Sequence, residues 1–169
     1  MKVALASCLF VVAAASALAQ DGMSCSAHHA AVNERGDAVM GFDHSKTTHH
    51  FSLTPEGGVI AVSANDVADT ASRDAIRNHL THIAKMFADG DCDAPMLIHD
   101  QVPPGVPVMK DEKKAIIYRY EESPAGAGIV ISTRNARALD AVHAFLRFQI
   151  DDHQTGDSAE IRAQENGSQ

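Results

Sequence analysis

The pattern of apolar and polar positions predicts two strands followed by a long helix in the first half of the chain. Residues 47–53 alternate in the manner of a half-buried strand, residues 54–58 have turn composition, and residues 59–62 return as a second strand. Apolar residues then recur at helical spacing across residues 68–88, and Gly90 ends that helix. One face of the first strand is predicted to pack on the core through alternate residues: Thr47, His49, Phe51 and Leu53.

The same order returns in the second half of the chain. Residues 115–120 and 129–132 read as strands around a Gly-rich turn, and residues 136–153 read as a helix. A helix over residues 27–40 precedes both units, and the Pro-rich residues 91–110 read as a stiff loop that can hold a short helix. The sequence therefore predicts an α+β fold: two ββα repeats forming a four-stranded antiparallel sheet with helices on one face, plus an N-terminal helix.

The two ends of the chain have different compositions from the middle. Residues 1–19 combine Lys2, an apolar run and the small residues Ala17-Leu18-Ala19, which is typical of a cleaved secretory signal peptide. Residues 20–156 are predicted to form the single α+β domain, and the polar residues 157–169 a disordered tail. We therefore expect the protein to be periplasmic or secreted.

Charge narrows the range of partners. The chain carries a formal net charge of −8 at pH 7, which disfavours phosphate backbones, so we expect no nucleic-acid partner. After the signal peptide no segment is apolar enough for insertion into a membrane. Phe145 and Phe148 widen the apolar surface of the last helix, which leaves a homodimer possible.

Two cysteines remain after the signal peptide, Cys25 and Cys92. In an exported protein the simplest prediction is a disulfide between them, and the alternative is that both thiolates bind metal.

Histidine is the most informative side chain. The chain contains ten histidines, and two of its segments are His-His pairs, His28-His29 and His49-His50. Strand alternation turns His49 toward the core and His50 away from it. His153 lies on the apolar face of the last helix at its C-terminal end, where the helix dipole favours a protonated imidazole.

These positions predict a transition-metal site for copper or zinc. His79 and His82 lie one turn apart on the second helix, which has to cover the strand that carries His49. Two ligands from a helix and one from the facing strand would leave an open coordination position. The second-choice ligands are His50, Met86 and His99, since imidazole and thioether suit these metals.

Two other functions fit the same residues. A small metal-dependent enzyme would bring substrate to the open metal position beside His99 and Asp100. A metal-free module for a small molecule or a partner would use the Pro-rich loop as its contact surface, with His49 a core histidine bonded to a backbone carbonyl.

Two stretches, TTHHF at residues 47–51 and FLRFQI at residues 145–150, are similar to those of a family of small exported bacterial proteins. The resemblance spans most of the chain after the signal peptide. It implies export and brings no activity with it.

Overall fold

The computed structural model describes residues 18–162, with side chains from Cys25 onward. Within this part of the chain, five α-helices and four strands follow one another, with short 3-10 turns at His44–Lys46 and Lys113–Ala115. The helices are α1 (Leu18–Met40), α2 (Thr70–Ala88), α3 (Asp93–His99), α4 (Val106–Asp111) and α5 (Ala136–Asp152). The strands are β1 (Thr47–Thr54), β2 (Gly57–Ala64), β3 (Ile116–Ser123) and β4 (Gly126–Thr133).

The four strands form one antiparallel sheet in the order β1-β2-β4-β3. The prediction of an α+β fold with a four-stranded antiparallel sheet is therefore confirmed. Each half of the chain runs strand–strand–helix, β1-β2-α2 and then β3-β4-α5, with α3 and α4 between the halves. That the two halves are repeats of one another stays a prediction.

The two long helices each pack mainly on the strands of the other half of the chain. Helix α2 packs mainly on β3 and β4, whereas α5 packs mainly on β1 and β2. Each helix thus buries its apolar stripe against the strands of the other half, which ties the halves into one core. The centre of this core is fully buried at Leu53, Ile76, Ile129, Val142 and Leu146.

Helix α5 approaches the sheet closely because Gly58 has no side chain. A Cβ built at Gly58 would lie 2.3 Å from Leu146 Cδ1 and 2.3 Å from the backbone oxygen of Ser52. The glycine therefore allows the helix to pack closely over β1 and β2.

Side-chain caps fix where both long helices begin. Asp69 accepts a hydrogen bond from Ser72 N at 3.0 Å at the start of α2, and Asn135 accepts one from Ala138 N at 3.1 Å at the start of α5. Such caps satisfy backbone donors that the first helical turn leaves unpaired.

The Pro-rich segment 91–110 is more regular than the loop that its sequence predicts. It contains α3 and α4. Gly105 directly precedes α4 and has a φ of +84°. A Cβ at Gly105 would lie 2.1 Å from the backbone oxygen of Ala141, so the segment packs tightly against α5. The prolines lie near helix starts and connections, where the missing N–H costs little.

Residues 157–162, at the start of the tail that the sequence predicts to be disordered, make specific contacts with β1. Asp157 Oδ2 accepts a hydrogen bond from Phe51 N at 2.8 Å, and Arg162 N donates to Leu53 O at 2.9 Å. The segment adds a short parallel bridge, Leu53 to Ile161, at the open edge of β1. Composition misses this pairing because an edge strand offers backbone partners to a polar segment as readily as to an apolar one.

The remaining end predictions fall partly outside the described residues. Residues 1–17 of the predicted signal peptide and residues 163–169 of the predicted tail lie there. Among the described residues, no helix has the length and apolarity needed to cross a membrane.

We predict that Asp157→Ala lowers the free energy of unfolding by about 1–3 kcal/mol, because it removes a charged acceptor of a backbone N–H and of His50 Nδ1. Urea denaturation at neutral pH measures this change. Asp151→Ala is the matched control, since Asp151 is exposed and its carboxylate makes no hydrogen bond within the described chain. A loss of stability no larger than the control's would show that the tail is not anchored by Asp157.

Candidate functional site

A small cavity of about 60 Å³ lies between the sheet, α2, α3 and α5. Four of the ten histidines converge on it from four different elements: His49, His79, His99 and His153. The rest of its wall is apolar except for Gln149. The other lining residues are Met40, Phe51, Ile60, Val62, Leu80, Ile83, Phe87, Ala94, Pro95, Ile98 and Phe145.

His49 reaches the cavity because β1 alternates. Its neighbours on the same face, Phe51 and Leu53, are buried, while His50 is exposed on the opposite face. The predicted inward orientation of His49 is confirmed. The ring of Phe42 lies beside it, with centroids 5.9 Å apart, and also contacts His79 edge-on at 5.6 Å.

His99 is the most buried of the four, with a relative exposure of 2% at the end of α3. Its Nδ1 lies 2.5 Å from Asp152 Oδ2 and its Nε2 lies 3.1 Å from Gln149 Oε1. Asp152 Oδ2 accepts the hydrogen bond from His99 Nδ1, because a carboxylate oxygen can only accept, and this bond fixes the orientation of the ring. Asp152 Oδ1 also receives a hydrogen bond from His28 Nε2 at 2.7 Å, which links α1 to the same group.

His153 is the C-cap of α5 and stacks on His49, with ring centroids 5.6 Å apart and planes 7° apart. It also contacts His99 edge-on at 4.9 Å. The sequence predicts a protonated His153 from the helix dipole, and this prediction is wrong. Burial lowers the pKa of His153 to about 3, helped by the nearby His49 and His99, although Asp152 opposes the decrease.

The two remaining cavity histidines are neutral for the same reason. Burial lowers the pKa of His49 to about 4, with further contributions from His79 and His50. Burial also lowers the pKa of His79 to about 4, with a contribution from His82. At neutral pH the cavity thus presents three uncharged imidazoles, which is the protonation state that binds metal.

The ring nitrogens of these three histidines are also unused. Within the described chain, His49, His79 and His153 make ring contacts but no hydrogen bond through Nδ1 or Nε2. The alternative that His49 is a core histidine bonded to a carbonyl therefore has no support here. His143 shows what that arrangement looks like, since its Nε2 donates to Thr54 O at 2.9 Å.

A second, larger cleft of about 320 Å³ adjoins the cavity. The cleft and the cavity share three lining residues, Met40, His49 and His153. His49 and His153 therefore lie where the cleft and the cavity adjoin.

The structure separates the predicted ligands into two groups. His49, His79 and His99 line the cavity, as described above, whereas His82, His50 and Met86 do not. His82 is exposed on α2, and His50 pairs with Asp157 at the outer face of the sheet. Met86 is partly buried and packs against the core. Residues three apart on a helix differ by about 60° around its axis, so one of two such residues can line the cavity while the other faces solvent.

Residues that the sequence prediction did not include complete the cavity. His153 and Gln149 come from the end of α5, and Met40 comes from the end of α1. Their distance along the chain from His49 hides the association. The apolar stripe of α5 places both His153 and Gln149 toward the sheet, so the helical spacing of the sequence does indicate that they lie on the same side as His49.

A different group has potential ligand atoms that lie closer together. Within the described chain, Asp37, Asp43 and His44 have one ligand atom each within 4.8 Å of the others, and all lie near the surface. Their polar atoms already make hydrogen bonds within the folded chain. Asp37 Oδ1 accepts from His44 N at 2.7 Å, and Asp43 Oδ1 accepts from Ser45 N at 2.8 Å to cap a 3-10 turn.

Both described cysteines are free thiols, so the predicted Cys25–Cys92 disulfide is not formed in this structure. Cys25 is exposed on α1, whereas Cys92 is buried at the start of α3. Burial raises the pKa of Cys92 to about 11, which keeps it a thiol rather than a metal-binding thiolate.

The fold and site together define an α+β protein with a small histidine-lined cavity. Comparisons with protein-family models, with curated proteins and with solved structures found no match. The chemistry of the cavity is therefore the basis for any functional conclusion.

We predict that the protein loses stability as the pH falls from 7 to 5. The pKa values of about 4, 4 and 3 for His49, His79 and His153 lie below the ordinary value of about 6.5. In this pH range these three histidines therefore bind protons in the unfolded chain but not in the folded chain. The contribution of each histidine to stability is fully present above about pH 6.5 and is lost as the pH falls toward its pKa in the folded protein. Between pH 7 and pH 5 each group should therefore lower the free energy of unfolding by about 1–2 kcal/mol.

Urea denaturation at the two pH values checks this expectation. His153→Gln should reduce the difference between them, since it removes one group that resists protonation, whereas His82→Gln should leave the difference unchanged because His82 is exposed. Equal stability of the wild-type protein at both pH values would contradict neutral burial of these rings.

Proposed function

We propose that this is an exported transition-metal-binding protein that holds one copper or zinc ion through His49, His79 and His153. This ligand set keeps two of the residues that the sequence indicates and replaces His82 by His153. The proposal is for metal handling or sensing rather than for a specified reaction.

One observation supports the proposal most strongly. Three imidazoles from β1, α2 and the end of α5 face one cavity, their pKa values are lowered, and their nitrogens have no hydrogen-bond partner in the described chain. Neutral imidazoles without hydrogen-bond partners are the form that binds metal, so three of them around one cavity can serve as ligands. A bound ion would satisfy all three.

An ion would bind through rotation of these side chains. The three histidines are not among the residues whose ligand atoms already lie within 4.8 Å of one another. The stacked rings of His49 and His153 must turn so that a nitrogen of each lies about 2.0–2.1 Å from the ion. The thioether of Met40 lines the same cavity and is a further soft donor of the kind that favours copper.

The size of the cavity limits what else it can hold. About 60 Å³ is enough for an ion and a few water-sized groups, since one water needs about 10–15 Å³. An organic cofactor is much larger than this. The adjoining cleft of about 320 Å³ favours a second candidate, a small metal-dependent enzyme whose substrate would reach His49 and His153 from the surface.

Export is part of the same proposal and rests on the composition of residues 1–19. N-terminal sequencing of the protein isolated from the periplasm or the medium tests it. The expected mature protein begins at Gln20, and retention of Met1 in the isolated protein would contradict export with cleavage.

We predict that His79→Ala abolishes metal binding and that His82→Ala does not. The two residues lie one turn apart on α2, but His79 lines the cavity and His82 is exposed. Untagged protein is loaded with copper or zinc, dialysed, and analysed for metal by mass spectrometry. The wild-type protein and His82→Ala should each retain about one equivalent, and His79→Ala much less.

The opposite pattern would place the ion elsewhere on the surface. Asp37→Asn serves as a second control, because it disturbs the exposed group of Asp37, Asp43 and His44. Loss of metal in Asp37→Asn with retention in His79→Ala would assign the ion to that group. Metal below about a tenth of an equivalent in the wild-type protein would refute the proposal itself.

We also predict that metal binding persists in mild acid. Protons compete with metal for imidazole, and the lowered pKa values of His49, His79 and His153 weaken that competition. Between pH 7 and pH 5.5 the affinity should fall by less than about tenfold, whereas three ligands with ordinary pKa values near 6.5 would lose about a thousandfold. Competition titrations with a chromophoric chelator at the two pH values measure the change.

A further inference from the structure

The two edges of the sheet differ in how the chain covers them. At the β1 edge, residues 157–162 add a short bridge from Ile161 to Leu53, and Asp157 accepts a hydrogen bond from Phe51 N. Strand β3 is the other edge of the sheet, and among the described residues no segment pairs with its outer side. An edge with unpaired backbone donors and acceptors is a template for another strand.

The outer side of β3 follows from how β4 divides its backbone groups between its two neighbours. Thr133 N, at the end of β4, donates to Glu56 O at 2.8 Å, so the odd-numbered residues of β4 face β2. The even-numbered residues of β4 face β3, where they meet Arg119 and the other odd-numbered residues of that strand. The N–H and C=O groups of Tyr118 and Tyr120 therefore point away from the sheet at its open edge.

Two charged side chains of opposite sign lie on the solvent-facing side of β3. The side chain of Arg119 is 63% exposed and that of Glu121 is 47% exposed, and the two form an ion pair within the strand. Strand alternation places both on the face opposite the helices, beside the exposed Ile117. Charged residues protect many edges from pairing, but charges of opposite sign two residues apart are self-complementary when the strand meets an antiparallel copy of itself.

One register sets these charges opposite each other. A two-fold axis at Tyr120 pairs this residue with Tyr120 of the second copy through backbone hydrogen bonds, and it sets Arg119 against Glu121 in both directions. Tyr118 then lies opposite Glu122, so no like charges face each other across the pair. A two-fold axis at Tyr118 would leave Arg119 and Glu121 without an opposite charge across the pair.

We propose that the protein forms a two-fold dimer through β3, which joins the sheets of the two copies into one continuous antiparallel sheet. A second copy of this chain occupies the open edge because β3 is complementary in charge to itself. In this register about six backbone hydrogen bonds form between the copies, from Tyr118, Tyr120 and Glu122. No residue of β3 lines the cavity or the cleft, so the dimer does not rest on the proposed metal site.

Charge reversal tests the interface. Arg119→Glu sets like charges opposite each other twice in the dimer and should raise the dimer Kd about tenfold or more, and Glu121→Arg should do the same. The double variant Arg119→Glu/Glu121→Arg restores opposite charges and should return the Kd to within about threefold of the wild-type value. Sedimentation equilibrium over a series of protein concentrations measures the Kd. Lys46→Glu makes the same change of charge at an exposed position just before β1 and should leave the Kd unchanged.

Cysteine cross-linking tests the register. In a Cys25→Ser background, which removes the exposed native thiol, Tyr120→Cys brings the two introduced residues to about 5.5 Å between Cα atoms, within the range of a disulfide. Ile117→Cys changes the same strand, but in this register the introduced residue lies about 20 Å from its copy. Mild oxidation should link the first variant into a covalent dimer and leave the second unlinked, as read on a non-reducing gel.

Three results would overturn the proposal. The first is a wild-type protein that stays monomeric up to about 1 mM. The second is a dimer whose Kd is the same in the wild-type, Arg119→Glu and Glu121→Arg proteins, and the third is equal cross-linking at positions 117 and 120, since both would place the contact on another surface. Thermal unfolding establishes that each variant is folded. The charge variants carry the test alone if Tyr120→Cys does not fold, because their side chains are exposed.

The dimer and the metal site are tested separately. The two charge-reversal variants should retain the same amount of copper or zinc as the wild-type protein, because β3 is not part of the cavity. A monomeric protein that holds metal would refute the dimer alone, and a metal-free protein that dimerises through β3 would refute the metal site alone.

Discussion

The carboxylate of Asp152 is the contact on which the cavity depends. It accepts hydrogen bonds from His28 Nε2 at 2.7 Å and from His99 Nδ1 at 2.5 Å, and so joins α1, α3 and α5 at one point. Burial alone would raise the pKa of Asp152, but the hydrogen bonds from the two histidines outweigh it and lower that pKa, which keeps the carboxylate charged. A charged Asp152 fixes His99, His99 fixes the amide of Gln149, and the amide defines one wall of the cavity.

The fold could be predicted from the sequence wherever local patterns decide it. Alternation in residues 47–53 and helical spacing in residues 68–88 correctly indicated a strand and a helix, because side-chain direction in each element has a fixed period. The pairing of the two central strands, β2 with β4, depends on contacts between distant segments, which alternation does not specify. The sequence allowed for one short helix in the Pro-rich residues 91–110, and the structure has two, since proline is compatible with a first helical turn.

The site could be predicted only in part, for similar reasons. His49 followed from strand alternation and His79 from its place beside the apolar stripe of α2. The choice of His82 over His153 came from closeness along the sequence, whereas the cavity gathers residues that are close in space. The helix-dipole argument also gave the wrong charge for His153, because the desolvation of a buried imidazole is larger than a dipole effect of at most about 2 kcal/mol.

The cavity is assembled from elements at opposite ends of the chain, with His49 on the first strand and His153 after the last helix. In the unfolded chain these residues are far apart, so a ligand that needs both binds only the native state. Such a ligand raises the melting temperature in proportion to the logarithm of its concentration. A compact histidine motif on one segment behaves differently, since it also captures metal while unfolded. The occupancy of this cavity would therefore report on the intact fold as a whole.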